Sequence, residues 1–168
     1  MLRGIDGVHT WTSPDGLTLR LNELDDITTG APVWPRFRLL DVDHGYPEGG
    51  DTYHKRVGQA GAVAHPDYRG PRVHSYTIEV MGRTIDELRQ GEEDLRQAFA
   101  DQSAEGRMDV GTHPLNPDYD VANDRYFEAK AMSLQPGTDA PDSDLSPELG
   151  FRREWVLGLV NHAGVIYS

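Results

Sequence analysis

The 168-residue sequence contains no cysteine. Disulfide scaffolds, thiolate metal sites, iron–sulfur clusters and cysteine nucleophiles are therefore all excluded. No apolar run approaches the ~20 residues that a membrane-spanning helix needs, and the first residues lack the apolar segment of a signal peptide. A chain of this length can bury a core without disulfides or metals, so we expect one domain over residues 1–168.

Positive charge is also scarce. The sequence has 16 Lys and Arg against 28 Asp and Glu, which gives a formal net charge of −12, and its only lysines are Lys55 and Lys130. An acidic surface repels phosphate, so binding to nucleic acid or to anionic lipid is disfavoured. Arginine suits planar, paired contacts with carboxylates, so its excess over lysine fits protein interfaces, and it fits a GC-rich genome equally well.

Recognisable catalytic motifs are absent as well. The sequence has no Gly-x-Ser-x-Gly elbow and no glycine-rich phosphate loop, and no two of its seven histidines have the short spacing of zinc motifs. The run Asp41-Val42-Asp43-His44 is the segment most similar to a metal-ligand cluster. Residues 139–148 carry carboxylates at positions 139, 142, 144 and 148, which suggests a calcium loop, but they lack the sharp-turn glycine of an EF-hand loop. We expect a solvated strand end and an acidic loop, with no catalytic residue, cofactor or metal.

The 18 glycines and 11 prolines predict many short strands joined by turns. Ser13-Pro14-Asp15-Gly16 predicts the turn of a β-hairpin, with Leu17, Leu19 and Leu21 on one face of its second strand. Residues 135–149 are polar and predict a loop. Further strands are predicted at residues 33–42, where Pro35 favours an edge position, and at 73–80, 107–110, 124–134 and 151–160.

One helix is predicted, over residues 85–100. Thr84 is followed three residues later by Glu87, which is the spacing of a capping box. Apolar residues then recur at helical spacing, and we expect them to pack on the strands that hold Tyr76 and Trp155. This predicted stripe consists of Ile85, Leu88, Leu95 and Phe99.

The segment 43–72 is rich in glycine and longer than an ordinary loop, because loops beyond ~12–15 residues are usually functional or mobile. It predicts an arm or a long hairpin that leaves the body of the protein. Its Tyr53, Val57, Val63 and Tyr68 are candidates for inter-subunit contacts. The overall pattern predicts an α+β, mainly β fold, an antiparallel β-sandwich or split barrel with one flanking helix.

The order of these elements resembles the N-terminal core domain of siphophage distal tail proteins, also called minor tail proteins. The resemblance covers roughly residues 15–168, and Leu39 to Asp43 with the glycine-rich stretch after them also fit this domain. It depends on a strand opened by Gly70-Pro71-Arg72-Val73, a helix started by Thr84-Ile85-Asp86-Glu87-Leu88, and strands at Arg107 to Val110, Arg125 to Ala129 and Phe151 to Leu159.

The resemblance implies a fold related to tail-tube proteins and a structural role in the virion, at the tail tip, after assembly in the host cytoplasm. Such proteins form a hexameric ring that joins the tail tube protein to the baseplate hub. The ring encloses a channel through which the tape measure protein and then DNA pass, without specific DNA binding. Many members carry a further carbohydrate-binding domain, which we do not expect in this sequence.

Three other functions remain open from the sequence. The chain could be another ring-forming tail protein, such as a tube or tail-terminator subunit. It could be a monomeric β-sandwich that binds a sugar or peptide on an exposed aromatic platform, for which Tyr46, Tyr53 and Tyr68 are candidates. It could be a metal-dependent hydrolase built on the 41–44 run.

Overall fold

Ten strands and one helix make up the part of the chain that the computed structural model describes, which is residues 7–26, 29–45, 52–55, 62–65, 70–110, 125–137, 145–146 and 150–167. In chain order these elements are β1 (His9–Thr12), β2 (Thr18–Leu21), β3 (Arg36–Asp43), β4 (Thr52–Lys55), β5 (Ala62–His65), β6 (Arg72–Gly82), α1 (Ile85–Ala98), β7 (Gly106–Val110), β8 (Arg125–Pro136), β9 (Leu145–Ser146) and β10 (Gly150–Asn161).

Seven strands form one antiparallel sheet in the order β2-β1-β7-β8-β10-β6-β3, and β9 pairs with β10 beside this path. Strand β8 connects the two halves of the sheet, because residues 125–129 pair with β7 and residues 130–136 pair with β10. Strands β4 and β5 form a separate two-stranded sheet. The predicted mainly β fold with one flanking helix and a long hairpin is confirmed.

Asn22 brings the two ends of this sheet together. It follows β2 with a positive φ of 69°, a conformation that asparagine tolerates better than most residues. Its backbone N–H donates to the Phe37 carbonyl at 2.5 Å, and its Oδ1 accepts from the Leu39 N–H at 3.4 Å. Because β2 is the first strand of the sheet and β3 is the last, these bonds roll the sheet around its core.

The core follows the alternation of the strands. In the central parts of β6 and β10 every second side chain is buried. These side chains are Tyr76, Ile78, Val80, Trp155, Leu157 and Leu159. Trp11 of β1 and Met108 of β7 complete the opposite wall, and both are fully buried.

Helix α1 begins at the predicted cap. The Glu87 N–H donates to the Thr84 hydroxyl at 3.2 Å, while the Glu87 carboxylate accepts from the N–H of Arg83, not of Thr84 as a capping box would have it. Gly91 lies against β6, where a Cβ would stand 2.8 Å from Val80 Cγ1 and 2.9 Å from Pro35 Cβ. Glycine in mid-helix is therefore explained by close packing. Within the described residues, no helix has the length and apolar character needed to cross a membrane.

Three details of the sequence interpretation are wrong. Leu17 lies before β2 in the turn and is exposed, so only Leu19 and Leu21 face the core. Ile85 is 38% exposed and does not belong to the buried stripe of α1, whose other members are buried as predicted. The polar segment 135–149 is not entirely a loop, because β8 extends to Pro136 and β9 pairs with the start of β10.

Candidate functional site

The segment 43–72 leaves and re-enters the body of the protein at one place. Strands β3 and β6 are antiparallel neighbours, and Asp43, at the end of β3, lies opposite Ser75 near the start of β6. The two ends of the segment are therefore held at adjacent strands. We call this place, formed by residues 43–45 and 72–76, the base of the hairpin.

Local backbone geometry fixes the exit from β3. The Asp43 carboxylate accepts from the Gly45 N–H at 2.8 Å, and Gly45 has a φ of 58°. A Cβ at this position would collide with the Val73 carbonyl oxygen, so both the positive φ and the close approach to β6 require glycine.

A cluster of histidines lies just behind this exit. The Nδ1 atoms of His44 and His74 are 2.9 Å apart, so one ring donates and the other accepts a hydrogen bond. The His74 ring is fully buried and stacks on Phe127, with a centroid distance of 3.8 Å and an interplanar angle of 5°. The His44 ring meets Phe127 and Tyr76 edge-on. We refer to His44, His74 and the nearby His9 as the histidine cluster.

His9 joins this cluster from β1. It is buried, and its ring meets the Tyr76 ring edge-on at 5.8 Å. Three buried polar atoms of the cluster have no hydrogen-bond partner among the described residues: His9 Nδ1, His74 Nε2 and the Tyr76 hydroxyl. A buried polar group without a partner costs folding energy.

Burial keeps these imidazoles neutral. Burial, and to a smaller extent charge repulsion from the neighbouring His44, lowers the pKa of His9 to about 4 and that of His74 to about 3. Burial also lowers the pKa of His44, aided by the Arg72 guanidinium and opposed by the Asp43 carboxylate. Desolvation of the Tyr76 hydroxyl raises its pKa.

The predicted inter-subunit residues fall on the separate hairpin or outside the described residues. Tyr53 lies in β4 opposite Ala64, and Val63 lies in β5 opposite His54. Val57 and Tyr68 lie outside the described residues, as does Tyr46, so the aromatic platform of a sugar-binding module stays a prediction.

Asp41, Asp43 and His44 do not converge on a metal position. The two aspartates are exposed on the outer face of β3, whereas the His44 ring contacts the buried His74. Among the described residues no group of three or more His, Asp or Glu side chains is arranged to hold a metal ion.

A cleft of about 360 Å³ opens between β2 and the segment that precedes β3. Leu19, Val33 and Pro35 contribute apolar walls, and the Arg20–Glu23 ion pair, 3.4 Å long, lies at its side. The one carboxylate of the lining, that of Glu23, is paired with Arg20, and we assign no catalytic role to the cleft.

Sequence reasoning missed the histidine cluster, although one signal was available. His74 stands on the same face of β6 as Tyr76 and Ile78, so strand alternation alone predicts that it is buried. Its partners His9 and His44 are 65 and 30 positions away in the sequence, and no spacing rule connects them.

Comparison with known proteins gives a likeness in fold. No family model and no curated protein sequence matches this chain. Among solved structures, the chain is similar to the crystal structure of the Dit protein of phage SPP1, described as a paradigm of the hub adsorption apparatus in phages that infect Gram-positive bacteria. The TM-score is 0.52 and the sequence identity is 12%, over 96% of this chain and 51% of that protein. The chain thus spans about half the length of SPP1 Dit and shares its fold over that half.

Proposed function

We propose that this protein is a structural component of a bacteriophage tail tip, a distal tail protein that forms a hexameric ring between the tail tube and the baseplate hub. The observation that carries the proposal is the fold shared with SPP1 Dit over nearly the whole chain. The ring's other partners are the tube protein, the hub proteins and the tape measure protein. The protein is assembled in the host cytoplasm and ends in the virion.

The charge of the chain supports a channel through which DNA slides. Each copy carries a net charge of −12, and a ring multiplies that charge around one axis. A negative wall repels phosphates and so gives DNA no place to bind during passage.

The hairpin supports an assembly role. An isolated two-stranded sheet is marginally stable in water, and β4 and β5 pair only with each other among the described residues. Contacts with a neighbouring copy would offset the ordering cost of ~1–2 kcal/mol per residue. The firmly held base of the hairpin gives such an arm a fixed direction of departure.

Deletion of residues 48–68 tests this role. We expect the shortened chain to stay folded, because its ends rejoin adjacent strands, and to lose ring formation. Native mass spectrometry and negative-stain electron microscopy of the full-length and shortened proteins give the number of copies, and circular dichroism reports the fold. Unfolding of the shortened chain would assign the segment to the core, and unchanged rings would place the interface on the strands.

The position of the protein in the virion distinguishes a distal tail protein from a tube or tail-terminator subunit. Labelled antibody should bind the tip of the tail furthest from the head. Labelling along the tube or at the neck would instead identify a tube or tail-terminator subunit.

We propose further that the protein is not an enzyme. Esterase, phosphatase and glycosidase assays with and without divalent metal ions should show no activity above the blank. Any activity that is abolished by Asp43→Ala or His44→Ala, and retained in the exposed-site control Asp86→Ala, would overturn this.

A further inference from the structure

The outer face of β3 carries charges that are segregated by sign. Arg36 and Arg38 lie at its start, and Asp41 and Asp43 lie at its end. Each of these four residues lies opposite a β6 residue whose side chain points away from the core, so all four side chains lie on the outer surface of the sheet. The β6 partners, in the same order, are Met81, Glu79, Thr77 and Ser75. The register shift between Leu39 and Asp41 keeps both pairs on that surface. We call Arg36, Arg38, Asp41 and Asp43 the β3 charge strip.

The charges of this strip form no ion pair among the described residues, although Glu79 of β6 lies opposite Arg38 in the register. Arg38 and Asp41 are exposed, and neither has an ion pair among the described residues. With a rise of about 3.3 Å per residue, their Cα atoms stand about 10 Å apart, too far for direct pairing in an extended strand.

Arg36 is held ready for an external carboxylate. Its guanidinium lies 4.1 Å from the centroid of the Trp34 ring, and its Nε donates to the Val33 carbonyl at 3.0 Å. The two terminal nitrogens have no hydrogen-bond partner among the described residues. A guanidinium fixed in this way loses little freedom when it binds a carboxylate, which it can hold with two parallel hydrogen bonds.

Strand β3 is also the last strand of the sheet, and Asn22 covers its far edge only at residues 37–39. Charges on an edge strand commonly prevent unwanted strand pairing. Charges mixed along the strand would serve that purpose equally well. Separation into a basic half and an acidic half adds something more, since the basic half of one copy is complementary in charge to the acidic half of another.

We propose that the β3 charge strip is a contact between copies of this chain, in which Arg36 and Arg38 of one copy face Asp41 and Asp43 of the next. The proposal rests on the ring assembly proposed above and names one of its interfaces. Exposed ion pairs add little affinity, but complementary charges set the register of an interface and speed its formation. The contact weakens with added salt, because salt screens exposed charges over ~10 Å at 0.1 M.

Two charge reversals and their mixture test the contact. Arg38→Asp makes the strip mainly acidic, and Asp41→Arg makes it mainly basic. Alone, each variant is expected to raise the concentration at half-assembly by about tenfold or more, because like charges meet at every copy. Mixed in equal amounts, the two variants are complementary again and should assemble at the wild-type concentration. Light scattering after size-exclusion chromatography measures the mass of each sample.

Arg89→Asp is the matched control, since it reverses an exposed arginine on α1, away from β3. It should assemble as the wild type does, and thermal unfolding should show that all three variants remain folded. Rescue in the mixture cannot arise from a folding defect. Normal assembly of both single variants, or no rescue in the mixture, would overturn the strip as an interface while leaving the ring intact. A wild-type chain that stays monomeric at every concentration would overturn the ring proposal itself.

Discussion

Replacement of Phe99 by alanine is expected to lower the free energy of unfolding by about 3–5 kcal/mol. Phe99 is only 3% exposed and stacks on Trp11, with ring centroids 5.0 Å apart. Trp11 is itself fully buried, and its Nε1 donates to the Ala98 carbonyl at the end of α1 at 2.8 Å. The pair therefore fastens the end of the helix to β1, and loss of the ring leaves a cavity that rigid neighbours cannot fill.

Ile85→Ala provides the control for this measurement. The same helical period places Ile85 and Phe99 in one stripe, but Ile85 is 38% exposed. We expect it to cost less than ~1 kcal/mol, since surface substitutions usually stay near 0.5 kcal/mol. Urea unfolding followed by circular dichroism compares the two variants with the wild type. A cost below ~1 kcal/mol for Phe99→Ala would contradict the assigned core.

The difference between these two residues shows what helical periodicity determines. It identifies the face of a helix, but not how far the neighbouring sheet extends along that face. Ile85 lies in the first turn, beyond the end of β6, beside the exposed Arg83–Glu87 ion pair. Leu88 and Leu95, further along, meet the sheet and are buried.

The burial of Glu92 in α1 was not predicted from the sequence, because its side chain is charged. Glu92 lies one turn after Leu88, so its position predicts burial, whereas its carboxylate predicts exposure. The structure reconciles the two, because Glu92 Oε2 accepts from Trp155 Nε1 at 2.9 Å and pairs with Arg153 at 3.3 Å. These partners are more than 60 positions away in the chain. Sequence periodicity reports which nearby residues share a face, and it cannot predict contacts between residues this far apart in the chain.

The strands and the hairpin were easier to predict. Alternate apolar residues over residues 73–80 predicted one inward face in β6, and the same pattern over residues 151–160, interrupted by Arg153 near its start, predicted one in β10. The glycine-rich 43–72 segment predicted a hairpin because neither strand period nor helix period could use so many glycines in the core. The closure of the sheet by Asn22 was not predictable, since it depends on one positive φ and on a partner strand 15 residues later.

Acid is expected to destabilise the protein well before its carboxylates titrate. In the native state the pKa values of His9 and His74 are about 4 and about 3, whereas an unfolded histidine titrates near 6.5. Between these values the unfolded chain binds more protons than the native one, so stability falls as the pH falls below 6.5. Above pH 6.5 both states hold neutral histidines, and this contribution to the pH dependence disappears.

The expected slope is large. Each fully shifted histidine contributes about 1.4 kcal/mol per pH unit within its window. His44 adds to the slope in the same direction, since burial and the charges of Arg72 and Arg125 lower its pKa more than Asp43 raises it. The clearest interval is pH 6.5 to 5, because the acidic groups whose pKa values are lowered, Glu87 and Asp101, contribute only at lower pH.

The variant His9→Phe measures the contribution of His9 to the change in the free energy of unfolding with pH. Phenylalanine keeps a ring against Tyr76 and carries no proton, so the free energy of unfolding between pH 6.5 and 5 should fall less steeply than in the wild type, by about 1.4 kcal/mol per pH unit. His162→Phe is the control, because His162 is an exposed histidine outside the histidine cluster. Urea titrations at several pH values measure both slopes. Equal slopes for the wild type and His9→Phe would mean that His9 binds a proton as readily in the native state as in the unfolded state, so that its burial near the base of the hairpin does not keep it neutral.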